Sequence, residues 1–119
     1  MNIELKRIYD DPKGHDGYRV LVDRLWPRGL RMSNVEFDLW LKDLGPSDTL
    51  RKWFAHDPHR WEDFRRYYFR ELETKRELLD RLLRFAKGKK IVLLYGARDE
   101  EHNQAVALKE YLEGVLVAA

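Results

Sequence analysis

The chain has 119 residues, no cysteine, 23 Lys and Arg against 21 Asp and Glu, and a net charge of +2. That length suits one domain with one core; the missing cysteines exclude a disulfide framework, a thiol nucleophile and a cysteine metal site. The near-balanced charge gives no bulk field for nucleic acid. No apolar run approaches the roughly 20 residues that span a bilayer, and the charged start MNIELKRIYDD does not read as a secretory signal, so a cytoplasmic location is expected.

In chain order, Ile3 to Tyr9 reads as a strand with Ile3, Leu5 and Arg7 sharing a face. DDPKGHDG is turn-rich and places His15 in a turn. YRVLVD follows, and its apolar Val20-Leu21-Val22 suits a strand buried on both faces, as in parallel sheets. Pro27 and Gly29 end regular structure there. Phe37 to Leu44 alternates apolar and polar residues and predicts a further strand, stopped at Gly45-Pro46.

Ser47 is a good N-cap for a short helix over DTLRKWFAH, and Asp57-Pro58 opens the next helix with Asp as cap and Pro in the first turn. Trp61, Phe64, Tyr68 and Leu72 mark its inner face. A break is expected near Glu73-Thr74, then a second helix carrying Leu78, Leu79, Leu82, Leu83 and Ala86 and capped by Gly88; one unbroken helix is the alternative. KIVLLYG, Lys90 to Gly96, predicts a central strand. A helix from about Glu100 with Ala105, Leu108, Tyr111 and Leu112 facing inward should end at Gly114, before a short last strand VLVAA. Strands alternating with helices give an α/β fold: one domain over 1–119, with a small, mainly parallel sheet of about four to five strands flanked by helices.

Ligands of open α/β sheets bind beyond the carboxyl ends of the strands. Two strands end in polar clusters: Asp23-Arg24 with Trp26 and Arg28, and Tyr95 followed by Arg98, Asp99, His102 and Asn103. Guanidinium forks suit phosphate or carboxylate, and a helix start near Asp99 would add N–H groups. The expected site is an anion pocket for a phosphate, a nucleotide or a carboxylate, in a protein that would act, if the pocket is catalytic, as a small hydrolase or transferase. Asp23, Asp99 and His102 are its candidate acids and bases, Arg24, Arg28, Arg98 and Asn103 its ligand contacts, and Trp26 or Tyr95 its aromatic wall. Each has a plainer reading: Asp99 as a helix cap, Asp23 as an ion-pair partner, Trp26 as a core anchor, Arg28 as a solvated loop residue. Arg28, between Pro27 and Gly29, is expected to point across the sheet edge toward Asp99 or His102.

HDPH places His56 and Asp57 as a further contribution to the site. Pro58 interrupts the helix that would align His56 with His59, so no metal site is read there. No Walker loop, dinucleotide fingerprint or nucleophile elbow is present, and the residues name neither a reaction nor a cofactor. A different reading is a nucleic-acid module on RRYYFR, using Arg65, Arg66, Arg70, Lys75 and Arg76, although Glu62, Asp63, Glu71 and Glu73 dilute that charge. A third is a scaffold or partner-binding protein whose motif residues mainly hold the fold.

At VDRLWPRG, KWFAHDP and LLYGARDEEHNQA the chain resembles the YeaO-like family, domain of unknown function 488, over nearly its whole length. The resemblance implies a small α/β domain and a bacterial or archaeal cytoplasmic protein, and brings no established activity. By matching motif positions it marks Asp23, Arg24, Trp26, Pro27, Arg28 and Gly29 in the first block. Trp53, Phe54, His56, Asp57 and Pro58 match the second, and Asp99, His102 and Asn103 the third. More distant relatives carry cysteines in the third block where Tyr95 and Asn103 stand here, so no thiol mechanism comes with it. Gln104 stands where close relatives often have histidine, so no two-histidine role does either.

Overall fold

A computed structural model of the chain describes residues 2–116. Four parallel strands form one sheet in the order β1-β4-β2-β3: β1 Ile3–Arg7, β2 Tyr18–Leu21, β3 Leu39–Trp40 and β4 Ile91–Tyr95. Four α-helices accompany it: α1 Asp48–Phe54, α2 Trp61–Glu73, α3 Arg76–Ala86 and α4 Gln104–Tyr111. The chain is a single α/β domain, as the alternation of elements predicts.

β4 lies between β1 and β2 and is buried along its whole length, which explains its unbroken apolar run. Its two faces are covered differently. Ile91, Leu93 and Tyr95, with Ile3, Val20 and Val22, pack against helical residues including Phe54, Phe64, Tyr68, Leu79, Leu82, Leu108 and Tyr111. Val92 and Leu94, with Ile8 and Leu21, face a smaller cluster supplied mainly by loops: Val35, with Tyr9, Trp26, Leu30, Phe37 and, from β3, Trp40 partly buried around it. The segment between β2 and β3 is thus a covering layer.

Several boundaries differ from expectation. The strand predicted over Phe37 to Leu44 is regular only at Leu39–Trp40, although Asp38 and Leu41 also donate backbone hydrogen bonds to Arg19 and Leu21 of the β2 segment. Lys42–Leu44 turns into a 3-10 helix, which buries Leu44 and lets its carbonyl accept from the Tyr68 hydroxyl at 2.5 Å. Ser47 caps α1 by accepting from the Leu50 N–H, and Glu71 of α2 accepts from both the Ser47 hydroxyl and its backbone N–H. Asp57 caps a 3-10 turn, Pro58–Arg60, that leads into α2. The helical region is two helices, broken at Thr74 and Lys75. At the end of α3, Lys87 takes the left-handed conformation (φ 49°) ahead of Gly88 (φ 77°).

α4 begins at Gln104 rather than Glu100, because Asn103 is the cap: its carboxamide oxygen accepts from the N–H groups of Ala105 and Val106. Gly114 does not end it; a π-helical turn continues over Leu112–Leu116. The rest of the expected last strand, residues 117–119, lies outside the described residues. Among the described residues no helix is long and apolar enough to cross a membrane.

Candidate functional site

Because all four strands are parallel, β1, β2 and β4 deliver their following residues to one edge of the sheet. The loop after β2 and the loop after β4 meet there. Asp23 Oδ2 accepts from the backbone N–H of Gly96 at 2.9 Å, and Oδ1 accepts from the Gln104 carboxamide at 2.5 Å. A Cβ on residue 96 would lie 2.8 Å from Asp23 Oδ2, so glycine is what admits the carboxylate. No cation is within ion-pair distance of Asp23 among the described residues, so burial dominates. It pushes the Asp23 carboxyl up to about 6, against the pull of its two hydrogen bonds.

Above Asp23 opens a cleft of about 800 Å³. Its wall carries six cationic side chains, Arg7, Arg24, Arg28, Arg51, Lys52 and Arg98, and one carboxylate, Asp23. Arg7 comes from the end of β1, Arg24 and Arg28 follow β2, Arg98 follows β4, and α1 swings over the edge to add Arg51 and Lys52. Apolar surface comes from Leu25, Trp26, Pro27, Pro46, Phe54 and Phe64. His56 stands at the rim, where Ala55 and His56 both hold positive φ, 46° and 57°, a conformation that costs non-glycine residues energy.

The cations are held in different ways. Arg7 donates from Nε to the Ala97 carbonyl at 3.0 Å and lies 4.6 Å over the Tyr9 ring. Arg24 donates to the Pro46 carbonyl at 2.7 Å, and the Tyr9 hydroxyl ties down the Arg28 carbonyl at 2.7 Å. Arg51 approaches Asp48 at 3.4 Å through Nη2, but its Nε is buried without a hydrogen-bond partner among the described residues. The side chains of Arg28, Lys52 and Arg98 are exposed.

The structure therefore brings together Asp23, Arg24, Trp26, Arg28, Arg98 and His56 from the sequence-predicted set. The others lie elsewhere. Asp99 closes a turn, accepting from the N–H groups of Glu101 and His102 at 2.9 and 3.0 Å, and its second oxygen meets His102 Nδ1 at 2.9 Å. These contacts hold the Asp99 carboxyl below its ordinary value, the backbone hydrogen bond from Glu101 contributing most. His102 packs edge-on to Trp61 at 5.4 Å, and neither it nor Asp99 is on the cleft wall. Arg28 shares that wall with Arg98 and forms no ion pair with Asp99 among the described residues. Asn103 is buried as the α4 cap. Tyr95 is buried with the helical face of the sheet and is no wall of the cleft. Asp57 binds the His59 N–H in its own turn. Trp26 lines the cleft, and it also packs against Phe37 and Trp40 while its indole N–H donates to the Leu30 carbonyl at 2.6 Å.

Sequence reasoning missed Arg7, Tyr9, Gly96 and Gln104, and with them Arg51 and Lys52. The end of a parallel β1 had to reach the same edge as β2 and β4, a signal that could have found Arg7 and Tyr9. Nothing in the pattern of α1 said which edge it would overhang.

The model of the inactive DUF488-N3 subclade matches residues 2–119. The chain is 40% identical over 115 residues to the uncharacterized protein YeaO of Escherichia coli (strain K12), covering 97% of this chain and 100% of that one. It is 35% identical over 113 residues to the uncharacterized proteins Mb3100c of Mycobacterium bovis and Rv3073c of Mycobacterium tuberculosis, covering 94% of each chain. No solved structure matches it. The three sequence blocks that resemble YeaO-like proteins thus sit in a match that spans the chain, which belongs to the inactive DUF488-N3 subclade of the YeaO-like DUF488 family.

Proposed function

We propose that the cleft binds a small anion bearing phosphate or carboxylate groups, and holds it without chemical turnover. The observation that carries this is the charge of the wall, six cations against one carboxylate in a chain whose overall charge is nearly balanced. Guanidinium groups supplied by four elements, the ends of β1, β2 and β4 and helix α1, suit a planar or tetrahedral oxyanion. The exposed guanidiniums of Arg28 and Arg98 have no ion-pair partner among the described residues, so they are free to meet an anion's oxygens.

Binding without turnover is supported by the chemistry of the wall. Among the described residues it carries no serine, threonine or cysteine, and its one hydroxyl, that of Tyr9, is engaged with the Arg28 carbonyl. Both oxygens of Asp23 already accept hydrogen bonds. The subclade's description as inactive points the same way. One observation favours a catalytic reading instead: a carboxyl near 6 is poised for proton transfer at neutral pH.

Thermal unfolding in the presence of phosphate, sulfate, citrate and nucleotides tests the proposal. A ligand at a hundredfold excess over its Kd should stabilise the chain by about 2.7 kcal/mol. Phosphorus NMR should recover a stabilising phosphate ester unchanged. No shift across the panel would overturn anion binding, and hydrolysis of the ester would replace the binding reading by the catalytic one.

A further inference from the structure

The run RRYYFR separates into three fates on α2. Tyr68 is buried in the core. Phe69 packs against Tyr111 at 5.4 Å, under an Arg65 whose guanidinium is committed to Glu62 and Glu110. Lys75, once a candidate for the same face, donates to the carbonyls of Asp43 and Gly45. The outward remainder is Arg66, Tyr67 and Arg70, and α1 sets Trp53 beside them. Trp53 and Tyr67 are 38% and 42% exposed and meet at right angles with centroids 6.0 Å apart. Three guanidiniums gather on them: Arg60 lies 5.2 Å from the Trp53 ring, Arg66 and Arg70 lie 5.6 and 6.0 Å from the Tyr67 ring.

We propose that this α1–α2 face, built on Trp53 and Tyr67, is a stacking platform for single-stranded nucleic acid. Exposed rings interleaved with arginines match what an unpaired strand presents, flat bases alternating with phosphates. Arg70 has no carboxylate within ion-pair distance among the described residues. The ion pairs of Arg60 with Asp57 and of Arg66 with Asp63 join exposed or half-exposed groups, which a phosphate can displace at little cost. An acidic peptide would satisfy the arginines but leave the two rings without partners, so the rings decide between the two occupants. The platform is separate from the cleft: Lys52 and Phe54, on either side of Trp53 in sequence, line the cleft, whereas Trp53 does not.

The test is fluorescence anisotropy of a labelled oligothymidylate of about 12 nucleotides, within the range of single-strand site sizes, titrated with the full chain at several salt concentrations. Affinity should fall steeply with salt. Trp53→Ala and Tyr67→Ala should each weaken it by roughly fivefold or more, the lower bound for one lost base stack. Trp53→Phe should restore most of the loss, and Arg70→Ala should lower the salt slope by about one phosphate contact. Trp53→Phe and Arg70→Ala should melt with the parent, whereas Trp53→Ala and Tyr67→Ala remove rings that are more than half covered and should melt lower, so binding is compared well below their melting temperatures. Two results would overturn the platform: equal binding of polyglutamate with no effect of Trp53→Ala, which would leave a charge-only surface, or displacement of the oligonucleotide by inorganic phosphate at matched ionic strength, which would place it in the cleft. Failure of phosphate to stabilise the chain would count against the cleft alone and leave this outcome untouched.

Discussion

Arg19 and Arg51 show how differently this fold treats its charges. Arg19 enters β2 toward the amino ends of the strands and is 2% exposed. Its Nε donates to the Glu36 carbonyl at 2.8 Å, one Nη to the Asp11 carbonyl at 2.6 Å and the other to Asp16 at 3.2 Å. Asp16 in turn faces Lys6 at 2.5 Å and Lys90 at 3.5 Å, and Lys90 reaches Glu4 at 2.8 Å. Every ion there has a counter-ion or a carbonyl. At the carboxyl edge, Arg51 keeps a buried Nε without a partner and five further cations share a wall with one carboxylate. The first group closes loops onto the sheet and its charges are spent on one another. The second has donors in surplus, and the proposed anion site would draw on them.

The sharpest way to break that contrast is Arg19→Met. Asp16 keeps Lys6 and Lys90, but the carbonyls of Glu36 and Asp11 lose the buried guanidinium that donates to them, at a cost of about 1–3 kcal/mol each. Urea unfolding should show that loss. A cost below about 1 kcal/mol would mean that the amino-end network is as dispensable as surface charge.

The two ends should also titrate with opposite sign. Hydrogen bonding from Lys6 holds the Asp16 carboxyl well below its ordinary value. Its contribution is therefore present above the unfolded carboxylate range and is lost as pH falls below it. Asp23 is the reverse. Its folded value of about 6 lies above the ordinary 3.8, so its ionisation penalises the native state increasingly as pH rises between those values. The full penalty corresponds to about 3 kcal/mol. Asp23→Asn should remove it, stabilising the chain by up to that amount above pH 6 and by nothing below pH 4. Unfolding free energies measured across that window check the sign; a variant less stable than the parent at pH 7 would mean that the carboxylate's hydrogen bonds outweigh its burial. Gly96→Ala attacks the same contact sterically, since the new methyl would meet Asp23 Oδ2 at 2.8 Å. It should cost roughly 1–3 kcal/mol, and less in the Asp23→Ala background, where the obstructing oxygen is gone.

The amino-acid pattern showed much of this arrangement, for identifiable reasons. The unbroken apolar run of β4 and the three-and-four spacing of α2 and α3 are periodic signals, and they located those elements. The polar residues that terminate β2 and β4 pointed to the carboxyl edge, where Asp23 and Gly96 do meet. What failed was the choice between chemically equivalent residues. Asp99 and Asn103 can both cap a helix; Asn103 takes α4, while Asp99 closes the preceding turn and binds His102 instead of entering the cleft. Gln104, displaced from an expected helix interior to its first turn, is the residue that reaches Asp23. Tyr95 was legible but misread: with period two it shares a face with Ile91 and Leu93, and that face is the helical core. Arg51 and Lys52 lay beyond reach. The α1 pattern specifies that Leu50 and Phe54 are buried, but only the tertiary path of the chain sets the helix over the edge of the sheet.

The smallest effect on stability is expected where the effect on binding is largest. Arg28 and Arg98 are exposed, follow different strands, and have no ion-pair partner among the described residues. Arg28 is placed by its backbone: Pro27 is buried behind it, Gly29 takes φ 78° after it, and the Tyr9 hydroxyl holds its carbonyl. None of those contacts involves the guanidinium, so Arg28→Ala should leave the turn intact. Both Arg28→Ala and Arg98→Ala should fall within about 0.5 kcal/mol of the parent in the absence of added anion. Relieving mutual repulsion on the crowded wall could even make the change favourable. Each should nevertheless lose most of the stabilisation that phosphate or citrate confers on the parent, because a charge-assisted contact to an oxyanion contributes more than an ordinary hydrogen bond. Melting with and without anion, for the parent and the two variants, separates the two quantities. Two variants that lose stability by more than about 1 kcal/mol without anion would show these arginines to be structural, and would erase the distinction between the two ends of the sheet.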